Sequence, residues 1–494
     1  MDVNKIISKI QNGDFEDVKR LIKENPDQVN NRNSKGVTVL MAACEQGNKK
    51  LITLLTKSGA DLNISDEDKK WTALHYAVEN HETDVVAFLV SSGANVNKQN
   101  SFGNTPLHRA VVNKYEDVVK VLLNSKENNN LQVNQGNNRG QTALYYACRY
   151  GQINIVELLL QQNGIDVNAV ENKGFTALHL ACQYGSKDVV ELLLQQNGSD
   201  ICAVTKQGHT PLHIASAHGR TEVVELLLQQ NGIDANKVNE EGNTPLHLAV
   251  RKQQHDVVAS MLAQDSVKLD IENNDKRTPL LEAVYAAHIG IVHKLTTCGA
   301  NINAVDKDGN NCLHIAAEKQ EFHSEKEHIP ILDECCEELQ LEGDRRLSGI
   351  VVGGYLASHG ASLYHRNDEK VTPLDCIENQ HLKEKLKTFL QSLCWWCQEK
   401  KATVTLHPCR HTICCQNCCS QMTFKQCPIC RQHIRSKSGF VCPKPEEKAV
   451  QTVAESVECS KCKEKVESVG EYKITVIDFY KFYLHLKYII CVND

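Results

Sequence analysis

Between Cys394 and Arg431 the chain reads CWWCQEKKATVTLHPCRHTICCQNCCSQMTFKQCPICR, which is nine cysteines and two histidines in 38 residues. Side chains of these types at this density either pair as disulfides, react as nucleophiles or hold a metal ion. Of the 22 cysteines in the chain, nine fall in the first 390 residues and thirteen in the last 104. The opening, MDVNKIISKIQNGDFEDV, is charged throughout and has no apolar core leading to a small-residue cleavage site, so it does not read as a signal peptide. The expected compartment is therefore the cytoplasm, with the nucleus also open, and there a cysteine cluster favours metal over disulfides.

Zinc takes four tetrahedral ligands, commonly as two close pairs, because a C-x2-C turn aims two thiolates at one ion about 2.3 Å away. Cys394-x2-Cys397, Cys409-x-His411 and Cys427-x2-Cys430 are three such pairs. A fourth lies among Cys414, Cys415, Cys418 and Cys419, where only Cys415 with Cys418 has the two-residue spacing. The pattern is then C-x2-C-x11-C-x-H-x3-C-x2-C-x8-C-x2-C, eight ligands for two closed zinc sites. A closed site leaves no position for substrate, so both ions are expected to be structural and not to activate water. A module this small has too little core to fold without them.

The residues ahead of the cluster are repetitive. GNTPLHRA at 103, GQTALYYA at 140, GFTALHLA at 174, GHTPLHIA at 208 and GNTPLHLA at 242 are plain copies, with weaker ones at 36, 70, 276, 309 and 370. From Thr38 to Asn311 the intervals are 34, 33, 37, 34, 34, 34, 34 and 33 residues. Gly permits a tight turn, Thr is placed to cap a helix, and Pro suits the first helical position, where no N–H is needed. LHLACQYG then predicts a short first helix ending at Gly, and KDVVELLLQQNG a longer antiparallel second one. Neither helix buries its apolar face alone, so neighbouring units must stack into a mostly α-helical solenoid.

His75, His108, His179, His213, His247 and His314 recur at one repeat position. A residue repeated at every turn is expected to be structural, hydrogen-bonding the neighbouring turn, and Cys148 and Cys182 read as small core residues. The period breaks once: Thr372 follows Asn311 by 61 residues, across an insertion at about 321–349 that carries nine acidic and three basic side chains. Such an insertion maps to a loop on one face; a partner contact and a solvated acidic excursion both fit its composition. His323, His328, Cys335 and Cys336 within it have no metal-like spacing.

The repeat resembles the ankyrin repeat over roughly residues 34–390, with residues 1–33 as a capping helix pair and TPLDCIENQHLKEKLKTFLQSL as the closing cap. HPCRHTICCQNC and CPICR resemble the RING finger, whose ligands run as three cysteines, one histidine and four cysteines; this module would span 391–440. In that family the pairs interleave, which implies one zinc on Cys394, Cys397, Cys415 and Cys418 and the other on Cys409, His411, Cys427 and Cys430. RING fingers recruit a ubiquitin-conjugating enzyme charged with ubiquitin and promote transfer without forming a covalent intermediate. The resemblance implies that Trp396, Pro428 and Ile429 meet that enzyme and that Arg431 clamps ubiquitin to it, a task suited to a multidonor guanidinium. Trp395 and Trp396 could instead pack on the repeat cap, and Cys414 and Cys419 have no neighbour arranged to activate them.

Behind the module, CSKCKEKVESV at 459 repeats the start of CWWCQEKKATV, but the remaining ligands do not follow, so Cys459 and Cys462 are expected to hold no tight zinc. Residues 441–494 then comprise a linker, this truncated start and an aromatic tail. The tail's apolar run is interrupted by Asp478, Lys481 and Lys487, which argues against a membrane span. A net charge of −6 does not suggest a nucleic-acid partner. Ankyrin repeats followed by more than one RING-like sequence resemble the C-terminal half of the mind bomb ubiquitin ligases, whose N-terminal substrate-binding domains have no counterpart in this sequence. The expected function is RING-type ubiquitin ligation, with a protein substrate on the repeats and a RING dimer compatible with it. The rival is a non-catalytic scaffold whose RING serves assembly.

Overall fold

The computed structural model describes residues 2–124, 131–319, 321–323, 332–333, 336–337 and 348–392, together with three strands at 404–407, 412–414 and 436–438; side chains are described as far as residue 386. All of these fall in one compact unit, Met1–Phe440.

Each unit of the repeat folds as its sequence demands. In the unit at 174, Thr176 has extended backbone and caps the helix Ala177–Tyr184, which stops at Gly185 in the left-handed conformation with φ 75°. Lys187–Leu194 then runs back as the second helix. Thr105, Thr210, Thr244 and Thr278 cap first helices that begin with Pro at the next residue. The turn ahead of the helix takes a positive φ, met by glycine in most units and by Lys70, Lys276 and Lys370 in three. Gly174 sits at φ +84°, and a Cβ added there would lie 2.9 Å from the backbone nitrogen of Lys206 in the next turn.

Two rows of helices result, because first helices pack on first helices and second on second. Ala43, Ala77, Ala110, Ala147, Ala181, Ala215, Ala249, Ala283 and Ala316 occupy one position of successive first helices and are all fully buried. A methyl group there lets adjacent helices approach closely, while Leu three residues earlier and the Val and Leu of the second helices fill the space between rows. The result is one continuous apolar core from Val3 to Leu386.

The opening pair forms as expected, with helices Val3–Gln11 and Phe15–Glu24. The closing cap departs from expectation: Gln380–Ser392 is helical, but Thr372–Cys376 forms only turns. The capping contact itself is present: the Asp375 carboxylate accepts from the Thr372 N–H at 3.1 Å and from its hydroxyl at 2.6 Å, the arrangement that opens the other first helices, but the turn is not continued into a helix.

The insertion is anchored to the stack at the positions described. Glu321 bridges Ser348, and His323 exchanges backbone hydrogen bonds with Ala287 and Ile289 of the preceding unit. Phe322, Leu332 and Cys336 are buried in the core. A wholly solvated excursion is therefore wrong for these residues: apolar side chains spaced along an acidic segment pin it down. His328 and Cys335 lie outside the described residues. The delayed second helix, Gly349–Ser358, packs on Cys312–Glu318 as the periodicity required.

Beyond the repeats, β1 (Val404–His407), β2 (Thr412–Cys414) and β3 (Ser436–Ser438) form an antiparallel sheet in the order β2-β1-β3. Val404 pairs with Cys414 and Thr405 with Thr412, while His407 pairs with Ser436 and Thr405 with Ser438.

Candidate functional site

The recurring histidines are structural. In His108, His179, His213 and His247 the Nδ1 accepts the backbone N–H of the capping Thr at 3.2 Å and meets its Oγ1 at 2.8 Å. Their Nε2 donates to a carbonyl in the turn of the next unit, at Gln141, His209, Asn243 and Arg277, over 2.9–3.0 Å. An Nδ1 facing an N–H must be unprotonated, so the network assigns the neutral Nε2–H tautomer. Burial pushes the ring pKa down to about 4 in His75, His108, His179 and His213, and also lowers it in His247 and His314. His314 reaches the Val371 carbonyl at 3.0 Å and so carries the stack past the insertion. Cys148 and Cys182 are likewise core: burial pushes both thiols up, out of reach of the thiolate.

What remains for recognition is the open face of the first-helix row and the turns beside it. Two positions of each first helix interact across units there: the last residue of one helix meets the fourth residue of the next. Glu79 takes the guanidinium of Arg109 through bonds of 2.7–3.0 Å and also accepts from Asn113. Arg251 donates to Glu282 at 2.7 Å and to Glu241 at 3.1 Å. Glu282 is almost fully buried, and Arg277 beside it lies over the Tyr285 ring at 3.7 Å, with Lys319 also over that ring at 4.7 Å.

Between these charged ends the face is aromatic. Tyr146 stacks on Tyr150 at 6.3 Å, and Arg149 lies over the rings of Tyr150 and Tyr184 at 5.8 and 6.0 Å. Sequence reasoning placed substrate choice on the repeats but singled out none of these residues. Comparing the fourth and last helical residues unit by unit would have found them.

The expected zinc ligands Cys394, Cys397, Cys409, His411, Cys415, Cys418, Cys427 and Cys430 lie outside the described residues, as do Trp395, Trp396, Cys419, Pro428, Ile429, Arg431, Cys459 and Cys462. The backbone of Cys414 is within β2. Among the described residues no group of three or more His, Cys, Asp or Glu could hold a metal ion, and no helix is long and apolar enough to cross a membrane.

A stacked helix-pair solenoid with a cysteine-rich module behind it defines an interaction protein of the repeat class. A model described as ankyrin repeats (3 copies) matches in overlapping windows over residues 6–100, 66–132, 93–171, 127–205, 163–239, 194–271 and 231–306, and one described as zinc finger, C3HC4 type (RING finger), matches residues 390–437. The chain belongs to the ankyrin-repeat family and carries a zinc-binding RING finger behind the repeats, the domain pair of ankyrin-repeat RING ubiquitin ligases.

It is similar to E3 ubiquitin-protein ligase MIB2 of Gallus gallus, 26% identical over a region that is 28% of this chain and 19% of that protein. It is also similar to ankyrin repeat and SAM domain-containing protein 6 of Rattus norvegicus, 39% identical over 15% of this chain and 8% of that protein. The chain thus spans less than a fifth of either curated relative. Among solved structures, the ankyrin repeat domain of Bcl-3 matches with a TM-score of 0.42 and 25% identity, covering 50% of this chain and 99% of that one.

Proposed function

We propose that this chain is a ubiquitin ligase of the RING type, in which the repeats select a protein substrate and the zinc module recruits a ubiquitin-charged conjugating enzyme, in the cytoplasm. The single observation that carries this reading is a C3HC4 RING finger directly behind an ankyrin solenoid, in a chain that is similar over part of its length to an E3 ubiquitin-protein ligase.

The donor set suits zinc: thiolates and an imidazole at C-x2-C and C-x-H spacings, with no carboxylate needed. One ion is assigned to Cys394, Cys397, Cys415 and Cys418, the other to Cys409, His411, Cys427 and Cys430. Strand topology supports this interleaving. The chain enters β1 from the Cys394 and Cys397 side at the same end at which it leaves β2 towards Cys415 and Cys418. Cys409 and His411 fall in the β1–β2 connection at the other end, where β3 begins opposite His407 after Cys427 and Cys430. Bound there, zinc supplies cross-links that hold the module folded. Trp396, Pro428 and Ile429 then face the conjugating enzyme, and Arg431 holds ubiquitin in a reactive pose against it.

Autoubiquitination with a panel of conjugating enzymes tests the reading. Chains are expected from the wild type, and loss or strong reduction in Cys394→Ala and Arg431→Ala. No chains with any enzyme would reject ligation and favour a scaffold whose RING serves assembly.

A further inference from the structure

The coupling between the last residue of one first helix and the fourth residue of the next is satisfied by opposite charges in two places, whereas the charge of Arg149 meets none. Glu79 is matched by Arg109, and Arg251 by Glu282, in each case through direct hydrogen bonds. Arg149 occupies the same position as Glu79 and Arg251, but the residue opposite is Leu180, which is itself buried. No carboxylate pairs with Arg149 among the described residues. Its guanidinium is held instead over Tyr150 and Tyr184, which are 41% and 44% exposed.

The surroundings extend this imbalance. From Arg109 to Arg251 the coupled positions are Val112, Tyr146, Arg149, Leu180, Gln183, Ile214, Ala217 and Leu248, with no acid among them. Exposed turn residues alongside are Arg139, Lys173 and Gln207, and the acids Glu240 and Glu241 come only in the turn after them, where Glu241 is taken by Arg251. The middle of the face is thus basic and aromatic, whereas Glu79 and Glu282 close its two ends. Stacking on tyrosine orients a guanidinium without consuming its in-plane donors, so Arg149 keeps its hydrogen-bonding fork for a partner. A planar fork beside exposed aromatic surface fits a carboxylate flanked by an apolar side chain, and a carboxylate is what the equivalent Arg251 already holds.

We propose that Arg149, framed by Tyr146, Tyr150 and Tyr184, is the specificity site of the repeat face and takes an Asp or Glu side chain next to an apolar residue in a segment of the substrate protein. This deepens the ligase reading and rests on it only for calling that segment a substrate.

The test uses the full chain and a displayed library of random twelve-residue peptides. Peptides selected by the wild type should share a carboxylate at a fixed position beside an apolar residue. Replacing that carboxylate by its amide should weaken binding about tenfold or more, the scale of one charge-assisted hydrogen bond. Arg149→Glu should weaken binding at least as much while keeping the wild-type melting temperature, and Arg149→Lys should recover part of it. With Arg149→Gln, the amide peptide should lose little further affinity, because the pair is already broken. Tyr184→Ala gives an independent arm, with loss of affinity for the same peptides.

Selection of no peptide, selected peptides without a shared carboxylate, or unchanged affinity in Arg149→Glu would overturn the assignment. A carrier protein bearing a selected peptide separates the two proposals. Tight binding without ubiquitin transfer would count against ligation and leave the Arg149 site standing.

Discussion

Acidification should unfold the solenoid through its own histidine bridges. In the folded repeats His75, His108, His179 and His213 are buried, with the pKa near 4. In the unfolded chain a histidine titrates near 6.5. The folded value is the lower one, so the stability these residues contribute is complete above pH 6.5 and is lost as pH falls below it. The loss levels off near pH 4, where the folded form also takes the proton.

Between these limits each such histidine should remove about 1.4 kcal/mol per pH unit, and about 2 kcal/mol by pH 5. The structural cause is specific: the proton must enter at Nδ1, which faces the N–H of the capping Thr at 3.2 Å in His213. Urea unfolding of the full chain, followed by helical circular dichroism at pH 7, 6 and 5, measures this. The midpoint should fall steadily, and His213→Gln should be less stable at pH 7 but lose less on acidification, by about one proton's slope. Because each repeat contacts only its neighbours, the transition should also broaden as junctions weaken separately. Equal midpoints at pH 7 and 5, or the same pH slope in His213→Gln, would refute the reasoning.

Three further outcomes follow from single contacts. At the outer end of the stack Asn168 bonds the Gly198 carbonyl at 2.7 Å and accepts from Asp200 N–H at 2.9 Å, but at the next junction Cys202 takes its place and reaches the Gly232 carbonyl only with a thiol at 3.4 Å. Cys202→Asn should restore the bridge and raise the unfolding free energy by about 1 kcal/mol in a urea titration. Phe322→Ala removes the buried ring that pins the start of the insertion, so it should cost about 3 kcal/mol and increase proteolytic cutting between residues 320 and 348, read by mass spectrometry. Metal analysis should find about one zinc ion lost per chain in Cys415→Ser and none in Cys414→Ser, each thiolate being one of four ligands to its ion; the reverse result would exchange their roles.

Much of the repeat architecture was legible because its signals are local. A Gly for a positive φ, a Thr for an N-cap and a Pro at the first helical residue act within a few residues of one another, and eight near-equal intervals report the stack directly. The histidine role was legible for the same reason, since a residue recurring with every unit serves what every unit shares. Where a helix was not continued, the pattern misled: TPLD resembles a helix start and makes the capping contact between Asp375 and Thr372, yet only turns follow.

The sequence by itself therefore determined the repeat period, the capped first helices, the opening helix pair and the spacing of the zinc donors, all set by short-range geometry. Tertiary structure alone decided which side chains of different repeats meet across the open face. Arg149 and Arg251 stand at the same repeat position in the sequence, yet Arg251 is closed by a carboxylate about thirty residues away and Arg149 is not. Neutralisation depends on the residue that stacking brings opposite, and that partner is fixed by the rise from one unit to the next.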